Sequence, residues 1–206
     1  MFILLISTVE RGPGDNWRQV RSDRSGGGLS ARAKRGEREA FEEIFDIYFE
    51  KLRRYAYYRT GDMNTAEDLA AETLTKGIES IGSFEDRGGT LGPWLFGIIR
   101  NLLSRHREQT ARIAYVELDE SLACDEREGP ESSVLEMLTH ERLHRALEKL
   151  PDDQREVILL RFMERYDVRT VAGIVEKKPG AVRALQFRAT AALRRLLMTE
   201  EVERYA

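Results

Sequence analysis

Apolar residues in this chain recur every three to four positions through two long blocks, and no stretch in either block alternates apolar and polar residues as a half-buried strand would. That period predicts an all-α fold. From Glu37 to Thr60 the positions Phe41, Ile44, Phe45, Tyr48, Leu52 and Tyr55 define the inner face of one long amphipathic helix, and Gly61 supplies its stop. Asn64, with Glu67 three residues on, is the expected cap of a second helix whose inner face carries Leu69, Thr73 and Leu74 as far as Gly82. After a loop, Ser83 to Gly89, Thr90 is placed to cap a third helix with Pro93 in its first turn, where a missing N–H breaks no helical bond. Trp94, Leu95, Ile98, Ile99, Leu102 and Leu103 form its apolar stripe, while Arg100, Ser104 and Arg107 share another face.

The second block is separated from the first by an acidic segment. Between Glu117 and Glu131 seven carboxylates stand against the single base Arg127, and Gly129-Pro130 lies near the end. Such a composition predicts a flexible tether. Past it, Ser133 and Glu136 open a helix with Val134, Leu135, Leu138, Leu143, Leu147 and Leu150 inside, and Pro151 starts the next. The expected division is therefore a disordered leader over residues 1–29, a helical unit over 30–110, the linker over 111–132, a second helical unit over 133–198 and a tail over 199–206. A start codon assigned too far upstream would give the leader the same look.

The last third holds the clearest local signal. Val168 to Val175, a turn at Glu176-Lys177-Lys178 and a helix from Pro179 to Leu197 match a helix-turn-helix, with Val171, Ala172, Val182, Leu185, Leu193 and Leu196 on the inner seam. The whole chain carries a formal charge of only -3, yet from Arg169 to Arg195 seven bases face one acid, Glu176. A locally basic helix is what phosphate contact requires. Taken alone, the pattern also describes a helical hairpin whose arginines solvate an outer face.

Read together, the separated motifs are more specific. Ala33-Lys34-Arg35-Gly36-Glu37-Arg38-Glu39-Ala40-Phe41-Glu42-Glu43-Ile44-Phe45, Ala66-Glu67-Asp68-Leu69-Ala70-Ala71-Glu72-Thr73 and Pro93-Trp94-Leu95-Phe96-Gly97-Ile98-Ile99-Arg100-Asn101 resemble region 2 of extracytoplasmic-function sigma factors. Leu150-Pro151-Asp152-Asp153-Gln154-Arg155-Glu156-Val157-Ile158-Leu159-Leu160-Arg161-Phe162 and Gly180-Ala181-Val182-Arg183-Ala184-Leu185-Gln186-Phe187-Arg188-Ala189 resemble their region 4. The likeness runs in order from about Leu29 to Leu197.

The resemblance implies a non-enzymatic, cytoplasmic initiation subunit that binds core RNA polymerase, at the clamp helices of the largest subunit and at the flap, and that reads promoter DNA, with an anti-sigma factor to restrain it. It implies no cofactor, no metal and no membrane insertion. Asp68, Leu69, Glu72 and Thr73 match the positions that dock on the clamp, although Asp68 and Glu72, four residues apart, also fit an ordinary solvated acidic face. For the minus-ten element the matching residues are Ser83, Phe84 and Arg87 in the loop, with Phe84 open to packing or to stacking on an unpaired base, and Arg100, Asn101 and Arg107 toward the duplex backbone. Stacking on an aromatic is worth about 1 to 3 kcal/mol per base, enough to offset local unpairing. Trp94, at the head of an apolar stripe, reads first as a core anchor.

For the minus-thirty-five element the matching positions are Lys178, Gly180, Arg183, Ala184, Phe187 and Arg188, where Arg can pair with guanine and Phe187 can meet a thymine methyl. Two departures from the family pattern stand in the turn: Glu176 where Gly is usual, and Lys178 where a Ser or Pro is usual. A Glu in a left-handed position is strained by about 1 kcal/mol, and Lys is a poor N-cap.

Two other readings compete. A free-standing helix-turn-helix regulator acting without polymerase accounts for the second unit and leaves the first without a task. A metal site at His140-x-x-x-His144 has a suitable spacing but no third ligand close in sequence, and Cys124, the only cysteine, lies in the linker. That single cysteine also rules out an internal disulfide framework.

Overall fold

The computed structural model describes residues 26–85, 90–116 and 142–204. The acidic linker and most of the leader lie outside these residues. Every element among the described residues is helical. The N-terminal unit consists of α1 (Gly26–Lys34), α2 (Arg38–Thr60), α3 (Met63–Ser80) with a 3-10 turn at Ile81–Ser83, and α4 (Leu91–Val116). The C-terminal unit consists of α5 (described over residues 142–148), α6 (Asp152–Ile158) widening into a π-type turn at Leu159–Met163, α7 (Val168–Ile174) and α8 (Pro179–Arg204).

Helix α1 corrects the leader boundary. The chain is already helical at Gly26, and Leu29 is buried against the core, so the last four residues assigned to the leader belong to the N-terminal unit. The low apolar content of 25–29 hid this, because a single leucine carries the contact.

Helix α2 buries Ala40, Ile44, Tyr48, Leu52 and Tyr55 at three- and four-residue spacing, as expected. Phe45 is the exception. It is 48% exposed and stacks on Phe49, one turn further along, with ring centroids 4.7 Å apart. The buried stripe passes through Ile44 and Tyr48, which puts Phe45 on its flank. The helix ends where Gly61 enters the left-handed region at φ 77°, and its N–H donates to the carbonyl of Tyr57.

The cap of α3 differs from the sequence expectation in a way the geometry explains. Asp62, not Asn64, precedes the first helical residue, and its carboxylate accepts from the Thr65 N–H at 2.6 Å. These hydrogen bonds from Thr65 hold the Asp62 carboxyl below the usual aspartate range. Asn64 already lies in the first turn. Helices α3 and α4 then pack closely at Gly77, where an added Cβ would fall 2.7 Å from the Leu95 side chain.

Helix α4 starts directly after Thr90 with Pro93 in its first turn, and it buries Leu91, Leu95, Phe96, Ile99, Leu102 and Leu103. Phe96 is fully buried, although the sequence stripe passed over it. Its partners explain why: the ring meets Tyr55 of α2 edge-on at 5.2 Å and Tyr166 of the C-terminal unit at 5.6 Å. Trp94 is half-buried against Phe84, which agrees with an anchoring role.

In the C-terminal unit, Asp167 caps α7 by accepting from the N–H groups of Thr170 and Arg169, which lowers its pKa. Val171, Ala172, Ile174, Val175, Val182, Leu185, Ala189 and Leu193 close the helix-turn-helix. Its turn realises the strain expected of Glu176, whose φ is 54°. The Lys178 carbonyl accepts the first helical bonds of α8, from Ala181 and Val182, so a lysine does stand at the cap position.

The two units are packed on one another. Their buried residues form a single cluster, with α4 of the first lying along α7 of the second. The sequence divides the chain into two blocks and gives no sign of this contact.

Candidate nucleic-acid interface

Helix α8 is anchored by one face and leaves the other to solvent. Val182, Leu185, Ala189, Leu193 and Leu197 are buried, at intervals of three and four residues. The opposite face at the start of the helix presents Lys178, Gly180, Arg183, Ala184, Phe187 and Arg188, all exposed. Phe187 is 77% exposed, the most exposed of the large apolar side chains described. An aromatic left this bare between two arginines buries little apolar surface in the fold. The Arg188 side chain is oriented by donating to the Ala184 carbonyl at 3.3 Å.

The polymerase-docking candidates on α3 divide into two pairs. Leu69 and Thr73 are buried, and the Thr73 hydroxyl donates back to the Leu69 carbonyl at 2.6 Å. Asp68 and Glu72 are exposed on the outer side, with Glu72 paired to Lys76 at 3.3 Å. Only the acidic pair can meet a partner directly, while Leu69 and Thr73 hold the helix that presents it.

The minus-ten candidates are placed less uniformly. Ser83 is exposed, and its hydroxyl donates to the Ser80 carbonyl. Phe84 is 7% exposed, tilted against Trp94 at 5.2 Å with the Lys34 ammonium over its ring, and Lys34 also donates to its carbonyl. Of the two uses left open for Phe84, the structure shows packing: the ring is buried against Trp94 and Lys34. Arg87 lies outside the described residues. Asn101 is exposed on α4.

Arg100 and Arg107, expected to face duplex DNA, instead meet acids of the C-terminal unit. Arg100 pairs with Glu156 at 3.2 Å and Glu176 at 3.4 Å, and Arg107 pairs with Asp152. Glu156 is 5% exposed, and the Tyr55 hydroxyl donates to it at 3.3 Å while Arg59 lies 3.6 Å away. Burial is the main cause that raises the Tyr55 pKa, with Glu156 adding to it, so the phenol stays a donor. Glu156 lies within the segment 150–162, and the sequence alone assigns it no role. The available signal was its place directly before the apolar run Val157-Ile158-Leu159-Leu160, in the first turns of a helix that this run buries.

His144 packs on the rings of Tyr57 and Tyr58, and its Nδ1 lies 3.6 Å from Glu148. His140 lies outside the described residues, and among those described no three metal-ligating side chains come together. No described helix is long and apolar enough to cross a membrane.

Comparison with known proteins agrees with this arrangement. Residues 44–113 match the family model for Sigma-70 region 2, and residues 140–193 match that for Sigma-70 region 4. The chain is 39% identical over 170 residues to the ECF RNA polymerase sigma factor BldN of Streptomyces coelicolor, a match covering 82% of this chain and 64% of that protein. It is 32% identical over 153 residues to the ECF RNA polymerase sigma factor EcfG of Rhodopseudomonas palustris, covering 74% of this chain and 82% of that protein. Among solved structures it superposes on the sigma factor RpoE from Bartonella quintana, crystallised with the anti-sigma factor NepR, with a TM-score of 0.63 and 27% identity over 77% of this chain and 96% of that one. Two sigma regions in order, an exposed basic face on the second helix of a helix-turn-helix and relatives matched over most of their length lead to one conclusion: the chain belongs to the ECF RNA polymerase sigma factors.

Proposed function

We propose that this chain is an alternative sigma factor that joins core RNA polymerase and directs initiation at promoters with a matching minus-ten and minus-thirty-five element. The observation that carries the reading is the α8 face, where Arg183, Phe187 and Arg188 stand exposed on a helix whose other side is locked into the core. Lys178 and Gly180 lie at its N-terminal end, where the positive end of the helix dipole favours a phosphate.

In this reading Asp68 and Glu72 meet a basic groove on the polymerase clamp, with Leu69 and Thr73 fixing the register of α3. The C-terminal unit docks at the flap. Ser83 and Arg87 border the captured non-template base, Phe84 shapes that loop from below, and Arg100, Asn101 and Arg107 hold the duplex backbone. The chain carries no catalytic group of its own and works in the cytoplasm, where the polymerase supplies the chemistry. RpoE of Bartonella quintana, a structural relative, was crystallised with an anti-sigma factor, which supports a restraining partner of that kind here.

A free-standing regulator is disfavoured because both sigma regions are matched, and such a regulator has no use for the first. Pull-down with purified core polymerase tests the difference. The sigma reading expects a one-to-one complex that Asp68→Lys together with Glu72→Lys weakens. Tight promoter binding by the chain alone, with no polymerase complex, overturns it.

A further inference from the structure

Helix α1 has no task in the reading so far, yet its placement is closely fixed. Leu29, Ser30 and Ala33 are buried, and the helix stops where Gly36 enters the left-handed region at φ 79°. The Gly36 N–H donates to the Ala33 carbonyl and the Glu37 N–H reaches back to the Arg32 carbonyl, the pattern of a Schellman stop. Arg32 ties the same turn to α2 through Glu37 at 3.0 Å and Glu43 at 2.7 Å. The last turn of α1 is thereby held at one angle to α2, and Lys34 projects from it.

Arg32 and Arg35 both turn to Glu37, whereas the Lys34 ammonium donates to the Phe84 carbonyl, 50 positions along the chain, and lies 5.9 Å from the centroid of the Phe84 ring. Phe84 is where the chain leaves the core. It follows the 3-10 turn with its N–H on the Ile81 carbonyl and an extended backbone, φ -62° and ψ 120°, between the exposed Ser83 and Glu85. Its ring rests on Trp94 of α4 at 5.2 Å. Both backbone polar groups of Phe84 are therefore engaged, and α1 supplies the partner of one of them.

We propose that Lys34 is a positioning residue for capture of the non-template base: it touches no DNA and fixes the direction in which the chain departs beside Ser83. The inference deepens the sigma reading, on which the captured base rests; the bracing of Phe84 does not depend on it. A segment anchored by one buried ring can pivot about that ring, and a second anchor on the carbonyl removes the pivot. The ammonium makes that anchor a charge-assisted bond, stronger than a neutral donor would give, and its place near the ring adds a cation–π contact. Such rigidity matters because a binding site has to be held within about 0.5 Å of its productive geometry by residues behind it.

The test uses the full chain, its Lys34→Met variant, which keeps the stem and loses the donor, and Lys34→Arg, which keeps a cation. In the free chain, amide exchange at Phe84 should quicken about tenfold in Lys34→Met, the scale set by losing a hydrogen bond to a charged group, with the melting temperature unchanged. With purified core polymerase, each chain then selects from a randomised single-stranded DNA library. The parent complex should yield a motif with one dominant position. Lys34→Met should lose the preference at that position and keep the others, and Lys34→Arg should restore it. Unchanged Phe84 exchange overturns the proposal. So does a lowered melting temperature, which makes Lys34 a stability residue, or faster exchange with the motif intact or weakened evenly at every position. A parent chain that forms no polymerase complex or selects no motif, while the exchange result holds, refutes the sigma reading and the capture role with it, and leaves the bracing standing.

Discussion

The two surfaces proposed to meet DNA differ in what covers them. On α8, Arg183, Phe187 and Arg188 stand exposed on a helix buried along its inner side. On the N-terminal unit, Arg100 and Arg107 are paired with carboxylates, and Phe84, the one aromatic in the loop open to stacking, is packed against Trp94. The difference teaches that motif order alone does not tell which surface is available. A helix-turn-helix projects its reading face by construction. A flat arginine-bearing helix face can be covered by any acidic neighbour, and here the neighbour is the chain's own second unit.

The largest expected effect falls on the open surface. Replacing Arg183 and Arg188 together with Ala should cost about 1 to 3 kcal/mol of base discrimination for each direct guanine pair lost. Run-off yield from promoters differing at the minus-thirty-five element should then converge. Unchanged discrimination would remove α8 from base readout.

A second effect separates core from stacking at the covered surface. Phe84→Ala should lower unfolding free energy by about 3 kcal/mol, as large-to-small changes at buried aromatics do, whereas Phe84→Leu should retain most of the stability and of the transcription. Loss of transcription in a stable Phe84→Leu chain would restore the stacking role. Thermal unfolding and run-off assays on the same preparations decide it.

Each unit also has an aspartate cap, and here the comparison sharpens to about 1 kcal/mol. Asp62→Ala and Asp167→Ala should each destabilise by that amount near neutral pH. Hydrogen bonds lower both carboxyls in the folded chain, from Thr65 to Asp62 and from Thr170 and Arg169 to Asp167. A depressed pKa contributes stability that is fully present above the ordinary aspartate value of about 3.9 and is lost as pH falls through the lower folded value. Each variant's deficit should thus be constant from neutral pH down to about pH 5 and vanish in strong acid. Denaturant melts across that range provide the check.

The smallest effect concerns the turn between α7 and α8. Glu176→Gly should stabilise the C-terminal unit by up to about 1 kcal/mol by relieving the left-handed backbone, φ 54°. The ion pair it removes with Arg100 is exposed on the Glu176 side and contributes little. A lower melting temperature in this variant would mean the Arg100 contact outweighs the strain.

What the sequence disclosed follows from what leaves a local trace. The helical period, the Gly61 stop and the strained Glu176 turn are properties of a few consecutive residues, and all appear where the spacing puts them. The α3 cap shifted by two residues because Asp62 and Asn64 are both good caps, and only the position of the Gly61 turn chooses between them. Phe45 left its expected inner face, and the choice open for Phe84 fell to packing, since an aromatic beside a stripe carries no sign of which side will be covered. The contact among Glu156, Tyr55, Arg59 and Arg100 joins residues up to 101 positions apart, and no periodicity records it. Glu156, in sequence, is one more polar residue after Asp152-Asp153-Gln154-Arg155, and only the fold buries it.

The most direct measurement is run-off transcription with purified core polymerase on fragmented genomic DNA, with and without this chain. Discrete new transcripts that require the chain, share upstream sequence at two spaced elements and disappear with Arg183→Ala/Arg188→Ala are the predicted result. Transcripts identical in its presence and absence, from a chain shown to be folded, would contradict assignment as an initiation factor.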